Sequence, residues 1–284
     1  MLSGIITASA QRGTRRLLLL PLVLVTSFGC GKAALDPLVV VGWSAADGAP
    51  IPLEQTLRIE FSAALSPQLR SGAVWLTDTN GIVVGDYQLE VAGSFLSLIP
   101  RLPTRVDLSD AGFPPSRELR LHLRGLPALG AISSSHGEVL VGDQVLAFRT
   151  LSAQHPDALL GGAGGERYLR LIIPRGGIGN HVVIPPHGTL MVQCSGPIDP
   201  RSLREPAQLR TIGAQQPRLI PLTLASNSVQ DTVLVGEIGQ LEGWAVLEMP
   251  TALCGLGGAP LLDSHRQLRL TLSGDSESGF ELLR

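Results

Sequence analysis

The chain has 284 residues with 22 basic and 24 acidic side chains, a formal net charge of −2, 44% hydrophobic and 4% aromatic residues. With 33 Gly and 21 Pro it is neither collagen-like nor low in complexity, and it holds enough apolar residues to fold. Its basic residues are almost all Arg, scattered rather than gathered into a stripe, which excludes a nucleic-acid partner on electrostatic grounds.

Arg12, Arg15 and Arg16 precede an apolar run over residues 17–25 and then Thr26-Ser27-Phe28-Gly29-Cys30, the order of a secretory signal. The run is about half of the roughly 20 residues that a membrane-spanning helix requires, so residues 1–29 are expected to be cleaved. Thr14-Arg15-Arg16-Leu17-Leu18 also resembles a weak twin-arginine signal, but so apolar a run favours the general export route. Gly29-Cys30 resembles the end of a bacterial lipobox, with Ser27 and Phe28 in place of the usual Leu and small residue. That resemblance implies lipidation at Cys30 and a membrane partner through the acyl chains. The alternative is ordinary signal cleavage. Gly31 after the Cys favours an outer-membrane lipoprotein of the cell envelope. Loss of three arginines with the signal leaves 19 basic against 24 acidic residues, a net of −5. Lys32 is the only lysine in the chain.

Residues 30–37 read as a short tether, and strands begin at Leu38. Thr56-Leu57-Arg58-Ile59-Glu60-Phe61 and Leu119-Arg120-Leu121-His122-Leu123 alternate polar and apolar with period two, as half-buried strands do. Further strands are predicted over 73–77, 82–84, 87–91, 95–99 and 145–150. Asn80-Gly81 predicts a tight hairpin turn, because both residue types tolerate positive φ. About seven short strands at this spacing argue for an antiparallel sandwich over residues 38–151.

Residues 152–166, with His155-Pro156 and the glycine cluster at 161–165, read as a linker. A phosphate loop is the other reading of such glycines, but no Lys-Ser/Thr follows them. A second domain over 167–284 then repeats the first. Ile51-Pro52, Thr56-Leu57, Ile59, Phe61-Ser62 and Pro67 return as Ile184-Pro185, Thr189-Leu190, Val192, Cys194-Ser195 and Pro200. Residues 268–272 are matched to 119–123, residues 279–282 to 147–150, and Pro250 to Pro100. On this alignment residues 204–243 form an insertion.

Asp47-Gly48-Ala49, Ile51-Pro52, the Phe61-Ser62 strand end, Pro100 and Phe148-Arg149-Thr150 resemble the bacterial Ig-like domain first described in S-layer proteins, the SbsA type. The resemblance covers nearly all of residues 38–284, more loosely in the second copy. It departs where Ala45 replaces the usual Pro and Cys194 the usual Phe. It implies an all-β fold of two tandem Ig-like antiparallel β-sandwich domains in a surface or periplasmic protein, non-catalytic and without a cofactor. It implies no particular ligand.

Cys194 and Cys254 are the thiols left after Cys30, both in one exported domain, and are expected to pair as a disulfide. The alternatives are packed free thiols or a reactive thiol. His122, His136, His155, His181, His187 and His265 include no pair two or four apart, so spacing gives no metal site. His181, His187 and His265 meeting in the fold is the alternative. Ser133-Ser134-Ser135-His136-Gly137 with Val141-Gly142 resembles a stretch of periplasmic copper-resistance proteins, but the N-terminal His that those proteins also use is missing. No Gly-x-Ser-x-Gly elbow or His-Glu-x-x-His helix occurs, so no catalytic residue is assigned. Among the aromatics, Trp75 and Trp244 read as core residues and Trp43 is the candidate contact residue. The leading function is a structural or protein-interaction module acting through sheet edges. A carbohydrate-binding or adhesion module is the alternative, and a periplasmic copper carrier the second alternative. The partner expected is an envelope protein or glycan.

Overall fold

A computed structural model of the chain describes residues 36–161, 167–172, 183–184, 188–211, 215–239 and 244–272. Residues from Asp36 onward form one compact unit. The predicted signal peptide, Cys30 and the predicted match at 279–282 lie outside the described residues.

The first repeat contains β1 (Val40–Trp43), β2 (Leu57–Phe61), β3 (Val74–Asp78), β4 (Tyr87–Ala92), β5 (Phe95–Pro100), β6 (Glu118–Leu123) and β7 (Gln144–Arg149). They form one sheet in the order β1-β2-β5-β4 and a second in the order β3-β6-β7. Period-two alternation sets the inner faces: Leu57, Ile59 and Phe61 of β2 are buried while Arg58 and Glu60 are exposed. Both sheets contribute to one core, with Leu96 and Leu98 of β5 packed in the same cluster as Leu76, Leu119 and Leu121. The Asn80-Gly81 hairpin forms, but only Gly81 takes positive φ (80°). The Asp78 carboxylate replaces the second left-handed residue by accepting from the N–H groups of Asn80 and Ile82, each at 2.9 Å.

The second repeat contains β8 (Leu171–Ile172), β9 (Val183–Ile184), β10 (Thr189–Cys194), β11 (Ala207–Thr211), β12 (Arg218–Ile220), β13 (Leu222–Ser226), β14 (Thr232–Glu237), β15 (Ala245–Glu248) and β16 (Gln267–Leu272). Its sheets run β13-β14-β10-β8 and β12-β11-β15-β16-β9. All pairings are antiparallel except that of β9 with β16. The fold is therefore all-β, two tandem Ig-like sandwiches, with no α-helix among the described residues.

Strand pairing corrects the alignment of the two repeats. β10 stands where β2 stands, as the matched sequence predicts, with Leu190, Val192 and Cys194 buried. However, β14 is the neighbour of β10 as β5 is of β2, and β15 and β16 follow β11 as β6 and β7 follow β3. The single bridges agree: Leu38↔Leu140 matches Leu169↔Leu261, and Leu65↔Ser134 matches Ile198↔Gly255. Residues 267–272 thus correspond to β7, not to residues 119–123, and Pro250 does not correspond to Pro100. Nor is 204–243 an insertion: its strands β11, β13 and β14 match β3, β4 and β5, and only β12 is additional.

The real difference is in the first repeat, where residues 101–112 leave the sandwich between β5 and β6. This is a closed loop. At its neck Gly112 N–H donates to the Arg101 carbonyl at 2.9 Å, and Asp86 exchanges hydrogen bonds with both residues. A Cβ on Gly112 would lie 2.3 Å from Arg101 N and Asp86 O, so the neck admits only glycine. Phe113, fully buried beside it, anchors the chain against Phe148 at 5.5 Å. We expect Gly112→Ala to destabilise the protein by about 1–3 kcal/mol through forced backbone shifts. Denaturant midpoints measure this, and an unchanged midpoint would show that the neck is not tight.

Candidate interaction site

The two sandwiches meet over a third apolar cluster made of Leu53, Leu108, Ala111, Ala158 and Leu159. Leu108 and Ala111 come from the 101–112 loop, and Ala158 and Leu159 from the segment predicted to be a linker. That segment is packed as far as Gly161; residues 162–166 lie outside the described residues. Leu53 N–H donates to Ala158 O at 2.9 Å. Glu54 Oε1 accepts from Leu160 N at 2.6 Å and Gly161 N at 3.1 Å. Burial pushes the Glu54 carboxyl above its ordinary range, against these backbone hydrogen bonds and Arg201. Leu160 also runs so close to the second repeat that a Cβ on Gly257 would sit 2.4 Å from its carbonyl oxygen.

Arg201 is the polar centre of the joint. Its guanidinium pairs with Asp199 through Nε and Nη2, the shortest contact being 2.8 Å, with both side chains under one fifth exposed. The remaining donors reach back to the carbonyls of His155 at 2.7 Å, Pro156 at 3.3 Å and Ala153 at 3.4 Å. A second polar bridge is buried Asn227. Its Oδ1 accepts from Ile198 N, and its Nδ2 donates to Ile198 O at 2.9 Å and to Pro103 O of the loop at 2.7 Å.

Beyond Pro103 the loop presents Val106. The Asp110 carboxylate shapes this part by accepting from Thr104 Oγ1 at 2.6 Å and from the N–H groups of Thr104 and Arg105 at 3.0 Å. Burial raises the Asp110 pKa, but these hydrogen bonds outweigh it and hold the carboxyl below its ordinary value. Arg105 O then accepts from Leu108 N, so Val106 sits on a tight turn. Val106 packs against the core of the second sandwich. Around it lies a cleft of about 620 Å³, formed by loop residues 104–107, Leu203, Arg204 and residues 222–224 of β13. β13 is an edge strand.

The same groove exists in the first repeat. Leu69-Arg70 lies two residues after Pro67 and Leu203-Arg204 three residues after Pro200, each on the turn that follows the strand end. Leu89 and Val91 on edge strand β4 face Leu98 and Leu96, as Leu222 and Leu224 on β13 face Gly236 and Leu234. With Pro67, Gly72 and Val74 these residues enclose about 390 Å³. Among the described residues no loop enters it.

The residues singled out by sequence are dispersed. The expected disulfide is absent, and Cys194 and Cys254 are free thiols. Cys194 lies inside the second core, where burial pushes its thiol up to about 12. Cys254 lies in the β15–β16 connection, corresponding by its bridge to Ser133. Its thiol faces the joint: burial and then Asp199 raise its pKa, opposed by a hydrogen bond with Ser202 and by Arg201. The two thiols thus occupy different surroundings.

Trp43 is half-buried, edge-on to Phe148 at 6.3 Å. Trp75 and Trp244 are not core residues. Trp75 stands on the outer face of β3, stacked 4.8 Å from His122 with Arg124 at 5.0 Å. Trp244 is 39% exposed beneath Arg269. Among the described residues no group of three or more His, Cys, Asp or Glu is placed to hold a metal. His181 and His187 lie outside them. Among the same residues no helix is long and apolar enough to cross a membrane.

No protein-family model matches the chain, and no characterised protein matches it in sequence. Among solved structures it is similar to native alpha-2-macroglobulin from Escherichia coli spanning domains MG0-NIE-MG1, with 16% identity over 84% of this chain and 72% of that one and a TM-score of 0.38. It is also similar to the N-terminal part of the bacterial S-layer protein SbsC, with 9% identity over 88% of this chain and 44% of that one and a TM-score of 0.29. Likenesses this distant assign no activity, ligand or partner to this chain.

Two tests address the site. Arg201→Met leaves the largely buried Asp199 without its counter-charge and the Ala153 and Pro156 carbonyls without the Arg201 donor, while His155 O keeps the Ala158 N–H, and should lower stability by about 3 kcal/mol. A loss under about 1 kcal/mol, the range of exposed ion pairs, would mean that the joint does not depend on it. The second test concerns His265, whose Nδ1 accepts from Leu171 N at 2.8 Å. Burial and then Arg170 lower its pKa from 6.5. A histidine held neutral contributes stability that is complete above pH 6.5 and is lost as pH falls toward the lowered native value. The melting temperature of the protein should therefore fall relative to that of His265→Asn between neutral pH and about pH 5. Parallel pH profiles would remove His265 as the cause.

Proposed function

We propose that this chain is a non-catalytic, envelope-anchored lipoprotein of the SbsA-type Ig-like class, acting as a structural and protein-interaction module. One observation carries the reading. The groove beside the edge strand of the second sandwich already holds a folded loop, so this architecture recognises protein segments by shape and apolar burial. Val106 packs against the core of the second sandwich, Leu108 and Ala111 fill the joint, and Asn227 reads a backbone carbonyl. Such contacts use few chemically conspicuous side chains, as expected of recognition at sheet edges. The packed joint, clamped by Arg201, suits a spacer that holds two sandwiches in one relative orientation.

Anchoring at Cys30 supplies the membrane partner, and outer-membrane placement follows from Gly31. Acyl chains contribute about 0.8 kcal/mol per buried methylene, so more than one chain gives lasting attachment. Cys30→Ala should move the protein from the membrane pellet to the soluble fraction on cell fractionation. Unchanged membrane association would overturn the anchor. Cross-linking in intact cells followed by mass spectrometry then tests the interaction role. A reproducible protein adduct supports it, and recovery of glycan alone would replace it with the adhesion reading.

A further inference from the structure

We propose that the open groove of the first repeat, between the Leu69-Arg70 turn and edge strand β4, is a docking site for a closed loop of a partner β-sandwich protein. The occupant presents a β-branched aliphatic side chain on a tight turn beside an acidic residue. The inference rests on the interaction reading above and deepens it by naming the surface and the chemistry of its partner.

The internal repeat supplies the argument, because the chain shows what this groove holds when it is filled. In the second repeat the groove takes the 101–112 loop, with Val106 packed on the core and Asp107 next to it. Equivalent side chains differ in exposure accordingly. Leu203, Leu222 and Leu224 are 6%, 4% and 8% exposed, whereas Leu89 is 40% exposed and Leu69 and Val91 are only partly buried. Part of the difference at Leu222 has another source, since Gly236 stands where Leu98 stands and gives Leu222 room to sink. Leu203 lies on a one-turn 3-10 helix, Pro200–Leu203, that the first repeat lacks, but Leu224 faces Leu234 as Val91 faces Leu96 and has no such explanation.

Charge fits the same occupant. Arg70 is exposed at the rim in the position of Arg204 and stands opposite no carboxylate in any hydrogen bond or ion pair of the described residues, so an acidic flank on the partner meets a guanidinium. The groove is framed by two sheet edges, β3 and β4, which also leaves it accessible from the side. A tandem of such sandwiches would place the loop of one domain in the groove of the next. Among the described residues the first sandwich gives its loop to the second and receives none.

The test uses a backbone-cyclised peptide of residues 101–112, whose ends already meet in the fold through the Gly112–Arg101 hydrogen bond. It is titrated to millimolar concentration into the isotope-labelled protein, and amide and methyl shifts are followed by NMR. The expected result is saturable shifts at Leu69, Val74, Leu89 and Val91. Asp in place of Val106 in the peptide should weaken binding at least about tenfold, the value of one buried Val. Leu89→Asp in the protein should do the same without altering the remaining spectrum, which shows that the fold is kept. No shift at these residues overturns the proposal, as do shifts confined to Leu203 and Leu222, where the peptide would merely compete with the protein's own loop. If cross-linking in cells finds a protein partner while the peptide leaves the first groove unperturbed, the interaction reading stands and the groove assignment falls. Peptide binding without any partner in cells reverses that outcome.

Discussion

The arrangement of the two sandwiches depends on one backbone closure, the approach of Gly112 to Arg101 and Asp86 at the neck of the 101–112 loop. Closing a loop of this length costs about 2 kcal/mol in chain entropy by the (3/2)RT ln n relation. Burial of Leu108 alone offsets that, at about 1.5–3 kcal/mol for a large aliphatic side chain. Ala111 and Val106 add to the balance on opposite sides of the joint. The loop is therefore a structural element of the first sandwich whose apolar contacts are made at the joint and, through Val106, on the second core. Without the neck, Val106 and Leu108 would have no fixed separation, and the cluster at the joint would lose two of its five buried members, Leu108 and Ala111.

Polar groups at the joint do a different job. A largely buried Arg–Asp pair is close to neutral in stability against an apolar pair of the same size, because desolvation offsets the attraction. What it adds is direction. The planar guanidinium of Arg201 has donors on Asp199 and on three carbonyls between Ala153 and Pro156, and that set can be satisfied in one relative placement of the two segments. Asn227 imposes the same requirement on Pro103 and Ile198. Apolar contact sets how strongly the sandwiches adhere, and these few hydrogen bonds set the angle.

The class of fold was legible in the sequence because its signal is local: Leu57, Ile59 and Phe61 repeat as Leu190, Val192 and Cys194, and period two decides their faces. The alignment of later strands was not. Leu119-Arg120-Leu121 and Leu268-Arg269-Leu270 carry the same alternation, yet one belongs to a central strand and the other to the strand beyond it. Alternation reports a strand's faces and says nothing of its neighbours. The expected disulfide rested on two thiols sharing one domain, and sharing a domain does not bring Cys194 and Cys254 together. Trp75 and Trp244 were read inward on residue type, but cross-strand partners on the outer face, His122 and Arg269, satisfy them there. Val106 and Arg201 carried no local signal at all, since their roles exist only once two distant segments meet.

Repetition has a physical consequence for binding. A groove at the open side of a sandwich exposes apolar side chains between two strand edges, and both repeats have inherited it because the same turn and the same edge strand build it. Edges of this kind are a liability unless something covers them. In the second repeat the cover is internal and permanent. In the first no described residue supplies one, and β4 keeps Leu89 at 40% exposure beside its edge. A chain that protects one groove by folding and leaves its twin open has a direction: one end complete, the other able to receive. That polarity suits a subunit that joins an assembly by one face, and it requires no further chemistry than the apolar burial and backbone recognition already holding its own two halves together.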